Sequence, residues 1–252
     1  MTTDPVAEAL SEDALLLRFG DSIDPRLNAR VHAAAARLRA ARLADVGEIA
    51  PSYASLLLRF DPLAWGDAQG PGGSPHTRLL AAIEPVLREA EDDSTQPQPR
   101  VVEIPVCYGG EFGPDLDDVA KCARLDAHEF AARHAAAEYA VAMLGFAPGF
   151  PYLLGLDPAL HAPRRPNPRT RVPAGSVAIG GAQTGIYPRE LPGGWQVIGR
   201  TPLVLFDPRR DPPCLLGPGD RVRFRAIENA VFHSLFEKRG DGRPPADPRD
   251  RG

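Results

Sequence analysis

Side chains that bind acids, amides and planar rings are concentrated in one stretch of the sequence, from Tyr139 to Gly199. This stretch contains LGFAPGFPYLLG, then PRRPNPRTRVPAGSVAIGGAQTGIYP, then LPGGWQVIG. Guanidinium groups bind carboxylates, amide and phenol groups hydrogen-bond amides, and an indole covers a planar ring. The residues of these types are Arg164, Arg165, Arg169, Arg171, Gln183, Tyr187 and Trp195. Because Gly permits positive φ and Pro fixes φ, the surrounding backbone shapes this surface, and we expect a pocket or a partner surface.

Arg164 and Arg169 are the candidate anchors for a carboxylate. Prolines stiffen their loop, which lowers the entropy lost when a guanidinium is held ready for a ligand. These prolines are Pro163, Pro166, Pro168 and Pro173. The alternative is that both arginines are solvated or pair with neighbouring acids. Gln183 and Tyr187 would hydrogen-bond an amide, and Trp195 would form a wall against a planar ring.

His134 is a further candidate because it lies at helical spacing from Phe130. A histidine can carry a proton near neutral pH. It can equally complete the apolar face of a helix. Both interpretations remain open from the sequence.

A short aromatic segment, GFAPGFPY, runs from Gly145 to Tyr152. It holds Phe146, Phe150 and Tyr152 on a turn rich in Gly and Pro. Aromatic side chains presented in this way are typical interface anchors, although a barrel core also uses them. We expect at least one of the three to be exposed in the lone chain and buried by a partner.

Several chemistries are excluded by missing motifs. The sequence has no GxxxxGK[ST] phosphate loop and no Met-Lys-Met biotin site. Ser176 lacks the GxSxG elbow of a nucleophilic serine. No pair of histidines has ligand spacing with carboxylate support, and the three scattered cysteines fit reduced thiols, so we expect no metal site and no disulfide framework. No catalytic residue can be named from these patterns.

Charge and hydropathy limit the classes of partner that the protein can bind and its location in the cell. The net charge is −4 and no basic tract appears, so we expect no nucleic-acid partner. No apolar run is long enough to span a membrane, and the N-terminal segment carries acids where a secretory signal carries positive charge. These features predict a cytoplasmic protein that does not bind membranes.

The first hundred residues alternate between strand and helix patterns. The near copies ALLLRF (14–19) and SLLLRF (55–60) are typical of buried strands, and 25–42 shows helical spacing. A short strand at 46–50, a helix at 77–89 that Pro85 should kink or split, and a strand at 101–106 complete the order. This order predicts a ferredoxin-like split βαβ domain over residues 1–93.

The second half predicts a barrel. Two short helices, 115–125 and 126–137, precede many short β-rich runs separated by turns, which favour a closed barrel over residues 94–228. The runs are YAVAMLGF, SVAIG, QTGIY, WQVIG, PLVLF and DRVRFRAI. The helix pair lacks the basic side chains of a DNA reader, so we expect it to pack on the barrel. The tail, 229–252, should be largely disordered, with one docked turn at Phe232 to Phe236.

Taken in order, these phrases resemble the 5-oxoprolinase B-subunit family, whose members are also called allophanate hydrolase subunit 1 or sporulation kinase inhibitor. EDALLLRFGDSIDP, PSYASLLLRFDPL and IPVCYGGEFGPDLDDVA resemble the family as well, so the similarity runs from about Ser11 to Ile227. The resemblance implies an α+β protein whose barrel is cyclophilin-like and related to carboxyltransferase domains.

The resemblance also implies a function. The chain would be a hydrolase subunit that opens 5-oxo-L-proline to L-glutamate at the expense of ATP, and that is active only in a hetero-oligomer. Its partners would be a homologous larger C-type subunit and a separate barrel-type A-subunit, with ATP bound jointly with a partner. Two alternatives stay open, namely a binding module that inhibits a histidine kinase and a prolyl isomerase suggested by the barrel.

Overall fold

The computed structural model describes residues 4–66, 73–88 and 99–238. The chain divides into two compact units, Met1–Pro99 and Arg100–Gly252. The domain boundary predicted after residue 93 and the tail from residue 239 lie outside the described residues.

The first unit is a four-stranded antiparallel sheet with two helices. The sheet order is β1-β2-β4-β3. Its elements are β1 (Val6–Ser11), β2 (Ala14–Arg18), α1 (Pro25–Ala41), β3 (Val46–Pro51), β4 (Ser55–Phe60) and α2 (Pro75–Arg88). Helix α1 begins after Asp24, whose carboxylate accepts hydrogen bonds from the backbone N–H groups of Arg26 and Leu27.

Alternation along the strands builds the core of this unit. Leu15 and Leu17 on β2, with Leu56 and Leu58 on β4, turn to one side of the sheet and are buried. Both helices contribute to the same cluster, for example through Val31 of α1. The repeated LLLRF runs are therefore neighbouring strands of one sheet.

One strand in the prediction for this unit is wrong. The fourth strand of the sheet is β1, not the run 101–106, which pairs in the barrel of the second unit. Strand β1 is mostly exposed and carries Glu8, so its apolar pattern is too weak to identify it as a strand. Of the two effects expected of Pro85, the split does not occur, because helix α2 continues past Pro85 to Arg88. A kink at Pro85 stays a prediction.

The second unit is a closed seven-stranded barrel with the order β10-β7-β6-β13-β5-β12-β9. Its strands are β5 (Val101–Tyr108), β6 (Glu138–Leu144), β7 (Pro151–Leu154), β9 (Ser176–Gly180), β10 (Gln183–Ile186), β12 (Gln196–Arg200) and β13 (Arg221–Ala226). A separate two-stranded sheet joins β8 (Arg169–Val172) to β11 (Leu191–Gly193). The predicted α+β class with a separate sheet unit and a barrel is confirmed.

Helices α3 (Leu116–Cys122) and α4 (Ala127–Ala136) pack on the barrel through Leu116, Val119 and Phe130, which share one core with the barrel strands. Asp126 caps α4 by accepting from the Glu129 N–H. Helix α5 (Asn229–Glu237) covers the predicted docked turn and buries Phe232 against Phe112. No helix in the described ranges is long and apolar enough to cross a membrane.

The strands predicted for the barrel differ from the observed strands in three ways. PLVLF (202–206) forms no strand, and only Phe206 makes an isolated bridge, to Cys214. Strand β7 lies partly in the segment for which the sequence predicts an aromatic turn. Strands β8 and β11 are rich in polar residues, Gly and Pro, so they lack an apolar signal.

Candidate functional site

Five aromatic side chains meet on the face of β9 opposite the main barrel core. Along β9, Val177 and Ile179 join the barrel core, whereas Ala178 joins the aromatic group. We call this group the aromatic platform, and its members are Phe146, Phe150, Tyr152, Tyr187 and Trp195. The Phe150 ring is central, with centroid distances of 4.9 Å to Tyr152, 5.2 Å to Tyr187 and 5.8 Å to Trp195. Such edge-on contacts stabilise the rings as one unit.

Glycines leave room for three of these rings. A Cβ on Gly180 would lie 2.6 Å from Nε1 of Trp195, and one on Gly193 would lie 2.1 Å from the Tyr187 hydroxyl. A Cβ on Gly185 would come within 3.1 Å of the Phe150 ring. At these three positions the absence of a side chain therefore makes room for the packing of the rings.

The platform has a buried part and an exposed part. Phe150 is 2% exposed and Phe146 is 60% exposed. Phe146 also has φ 65°, a left-handed conformation that is uncommon for a bulky residue. The expectation that one of the three aromatics is exposed fits Phe146, whereas Phe150 is a core residue, because four other rings surround it.

Arg164 lies over the platform. Its guanidinium carbon is 5.8 Å from the centroid of the Trp195 ring, within cation–π range. In residues 4–66, 73–88 and 99–238 the structure gives Arg164 no carboxylate partner. An exposed cation without an acid partner is free to bind one.

Backbone and side-chain bonds hold the loop that carries Arg164. Gln196 Nε2 donates to the Pro163 carbonyl at 3.0 Å, and the Arg165 N–H donates to the Gly194 carbonyl at 2.7 Å. Arg164 thus lies between two fixed neighbours, so the loop is held by specific contacts in addition to its prolines.

Arg169 is differently engaged. Its Nη1 and Nη2 donate to the two oxygens of Asp115 at 2.7 Å each, and Arg165 Nη1 donates to the same carboxylate at 2.8 Å. The hydrogen bond to Asp115 is the main cause that raises the pKa of Arg169. Arg169 therefore pairs with an acid, which is the alternative given above for both arginines. Arg164 remains as the candidate anchor for a carboxylate.

Asp115 is the residue of this region that sequence reasoning missed. It is 3% exposed. In the sequence it is one of three acids in GPDLDD, and nothing in that pattern distinguishes a buried carboxylate from its solvated neighbours.

Gln183 lies beside the platform. It is the Cα partner of Gly180, and directly opposed residues turn their side chains to the same face of a sheet, which here is the face that Trp195 covers. Tyr187 is nearly fully buried, and burial is the main cause that raises its pKa. A backbone hydrogen bond from Trp195 engages the Tyr187 phenol, so Tyr187 is held as a buried member of the platform.

His134 lies apart from the platform, fully buried where α4 meets the barrel. Thr184 Oγ1 donates to the Ala178 carbonyl at 3.0 Å, so its lone pair accepts from His134 Nε2–H, also at 3.0 Å. Nδ1 then accepts from the Tyr108 hydroxyl at 2.8 Å. Burial lowers the pKa of His134 from 6.5 to about 3, so the ring is neutral at physiological pH. This geometry favours the interpretation of His134 as part of a helix face.

In the described residues no cluster of His, Cys, Asp or Glu is arranged to hold a metal ion. The cysteines in that part of the chain, Cys107, Cys122 and Cys214, are free.

Comparison with known proteins identifies the family to which this chain belongs. A family model for the carboxyltransferase domain, subdomains C and D, matches residues 5–216. The 5-oxoprolinase B-subunit of Bacillus subtilis (strain 168) is 44% identical over 239 residues, which cover 94% of this chain and 99% of that protein. This chain belongs to the 5-oxoprolinase B-subunit family. The B-subunit of Escherichia coli O157:H7 is 54% identical over 152 residues, 60% of this chain and 70% of that protein. The resemblance found in the sequence is confirmed.

Solved structures agree with this family assignment. The crystal structure of TTHA0988 superposes with a TM-score of 0.71 at 40% identity, over 86% of this chain and 40% of the TTHA0988 chain. This chain thus spans less than half of that protein. The urea amidolyase of Kluyveromyces lactis has a TM-score of 0.71 at 22% identity, over 94% of this chain and 16% of that enzyme, and shows the fold alone.

Proposed function

We propose that this chain is one subunit of an ATP-dependent 5-oxoprolinase that converts 5-oxo-L-proline to L-glutamate. Its partners would be a homologous larger C-type subunit and a separate barrel-type A-subunit. The relatives are named as the B-subunit of 5-oxoprolinase, and this name supports a role as one member of a complex.

The position of Arg164 over Trp195 is the observation that carries this proposal. The substrate is a carboxylate attached to a flat five-membered lactam. Arg164 offers an exposed guanidinium without an acid partner in the described residues, and the largely buried ring of Trp195 lies beneath it. An acid that binds there therefore displaces no ion pair that the described residues make with Arg164.

The other side chains at this place match the lactam. Gln183 on the same face has an amide that both donates and accepts, as the lactam does. Tyr152 is half-buried beside Trp195, with ring centroids 5.9 Å apart. We assign carboxylate binding to Arg164, lactam contact to Gln183, and ring packing to Trp195 and Tyr152.

The chain alone lacks a phosphate loop, so ATP would bind jointly with a partner subunit. ATP supplies the driving force for opening a resonance-stabilised lactam. We assign the contact with the larger subunit to Phe146, because it is the exposed member of the platform and a large aromatic side chain is a typical anchor.

Reconstitution tests the proposed function. The purified chain should neither hydrolyse ATP nor release glutamate from 5-oxoproline, whereas the mixture with both partner subunits should do both. Glutamate release is measured with each subunit omitted in turn. Turnover by this chain alone would contradict the shared site, and full activity of the two partners without it would contradict the proposal itself.

Replacing Arg164 by Ala should raise the KM of the complex for 5-oxoproline roughly 10- to 150-fold, because one charged hydrogen bond is worth about 1.5–3 kcal/mol. Arg164→Lys should fall between the wild type and Arg164→Ala, since it keeps the charge and loses the planar fork. The matched control is Arg171→Ala, whose exposed guanidinium pairs with Glu190. Equal KM values in the Arg164 and Arg171 variants would place the substrate elsewhere.

A further inference from the structure

The Asp115 carboxylate uses all of its acceptor capacity within the protein. Oδ1 accepts from Arg165 Nη1 at 2.8 Å and from Arg169 Nη2 at 2.7 Å. Oδ2 accepts from Arg169 Nη1 and from the Val197 N–H, both at 2.7 Å. With two donors on each oxygen and almost no exposure, the carboxylate has no lone pair for a substrate or for a proton in transfer. Asp115 is therefore unsuited to act as a general base.

Two of the residues that donate to Asp115, Arg165 and Val197, are close neighbours in sequence of Arg164 and Trp195. Arg165 follows Arg164, and Val197 lies two residues after Trp195. Arg165 also donates its backbone N–H to Gly194, the residue before Trp195. One carboxylate thus connects the loop that carries the cation to the strand that follows the indole.

Arg169 closes the same loop from its other end. Arg165 and Arg169 stand on either side of Pro166, Asn167 and Pro168, and both bind Asp115. A charged, nearly buried clamp of this kind is stronger than the neutral hydrogen bonds of an ordinary loop. It restrains the backbone that follows Arg164, on the same loop, relative to the strand that follows Trp195.

We propose that Asp115 is a positioning residue, which sets the distance between Arg164 and Trp195 and so prepares the site for a small carboxylate. The assignment of the ligand rests on the proposed function above. The positioning itself concerns only this chain and can be measured without partner subunits.

The first experiment follows Trp195 in the isolated chain. The chain contains two tryptophans, Trp65 and Trp195, so a Trp65→Phe background leaves Trp195 as the reporter. In this background Asp115→Asn keeps the shape of the side chain but removes its charge. It also replaces one acceptor oxygen by an NH2 group, which cannot accept the hydrogen bonds that the guanidinium and backbone N–H groups donate. We expect a shifted Trp195 emission maximum and an acrylamide quenching constant roughly twofold higher, because the ring loses both its cation and its fixed backbone. The control is Asp117→Asn, an exposed acid on the adjoining helix α3.

A second variant covers the case in which Asp115→Asn does not fold. Arg165→Met removes one donor and leaves the paired hydrogen bonds of Asp115 with Arg169 intact. It should change Trp195 quenching in the same direction by a smaller factor. If Asp115→Asn folds and its Trp195 is quenched as in the wild type, the positioning role is overturned. If only Arg165→Met folds, the same result in that variant overturns it.

The second experiment is kinetic and uses the reconstituted complex. Asp115→Asn, or Arg165→Met in its place, should raise the KM for 5-oxoproline roughly tenfold with a smaller change in kcat, since Asp115 touches no reacting atom. In an Arg164→Ala background the same change should have almost no further effect on KM, because its role passes through Arg164. If the effects of Asp115→Asn and Arg164→Ala on KM are fully additive, Asp115 has only a structural role. A changed Trp195 signal with no effect of Arg164→Ala on KM would keep the positioning and reject the proposed substrate site.

Discussion

Replacing Phe150 by Ala should lower the free energy of unfolding of the barrel unit by about 3–5 kcal/mol, the usual range for a buried Phe truncated to Ala. The ring is 2% exposed and contacts the rings of Phe146, Tyr152, Tyr187 and Trp195. The Phe150 ring packs directly on Gly185, which has no side chain to fill the space that the ring would leave. Denaturant unfolding followed by Trp195 fluorescence in a Trp65→Phe background gives this value.

Phe146→Ala is the matched control, because it removes the same side chain from an exposed position in the same segment. We expect little change in unfolding and a loss of about 1–4 kcal/mol in binding to the larger subunit, which titration calorimetry of the two subunits would measure. The opposite pattern, with Phe146→Ala unfolding the chain and Phe150→Ala weakening only assembly, would reverse the assignment of core and interface.

Acidification should destabilise the barrel unit through His134. Because burial lowers the pKa of His134 from 6.5 to about 3, between these pH values the unfolded chain binds a proton that the folded chain excludes. The free energy of unfolding should therefore fall by up to about 1.4 kcal/mol per pH unit below pH 6.5, which amounts to about 2 kcal/mol at pH 5. Well above pH 6.5 the residue is neutral in both states and contributes no pH dependence.

His134→Gln should reduce this acid slope, whatever the variant costs at neutral pH. The titratable neighbours, Tyr108 and Tyr139, do not interfere, since burial raises the pKa of both phenols above their ordinary value. His128→Gln is the control, because His128 is exposed on the same helix. Equal slopes in wild type and His134→Gln, measured by urea unfolding from pH 7 to pH 4.5, would show that the ring is protonated without cost in the folded chain.

Regular elements with strong apolar patterns were predictable from the sequence. The repeats ALLLRF and SLLLRF, the amphipathic run 25–42 and the run SVAIG each bury one face or both, and their residue spacing records this burial. The family followed from ordered phrases over most of the chain. Turn-rich segments with aromatic and guanidinium groups also suggested the candidate site, which stays a prediction.

Elements whose stability comes from partners distant in sequence were not predictable in this way. Strand β1 is mostly exposed and forms because β2 offers a free edge. The run 101–106 has a strand pattern that does not indicate which of the two sheets it joins. Strands β8 and β11 pair with each other and carry little apolar signal of their own. In these cases the pairing partner decides the structure, and spacing along one segment contains no information about it.

Arg164 and Arg169 illustrate the same limit at the site. The sequence places both in one proline-rich loop and gives them equal standing as carboxylate anchors. Only the fold brings Asp115, which is 54 residues before Arg169, into contact with the latter guanidinium and leaves Arg164 over Trp195. Residue types and local stiffness were determined by the sequence itself. Which cation is neutralised and which stays available was decided by the tertiary structure, because a charge pair depends on distances in space between segments that are far apart in the chain.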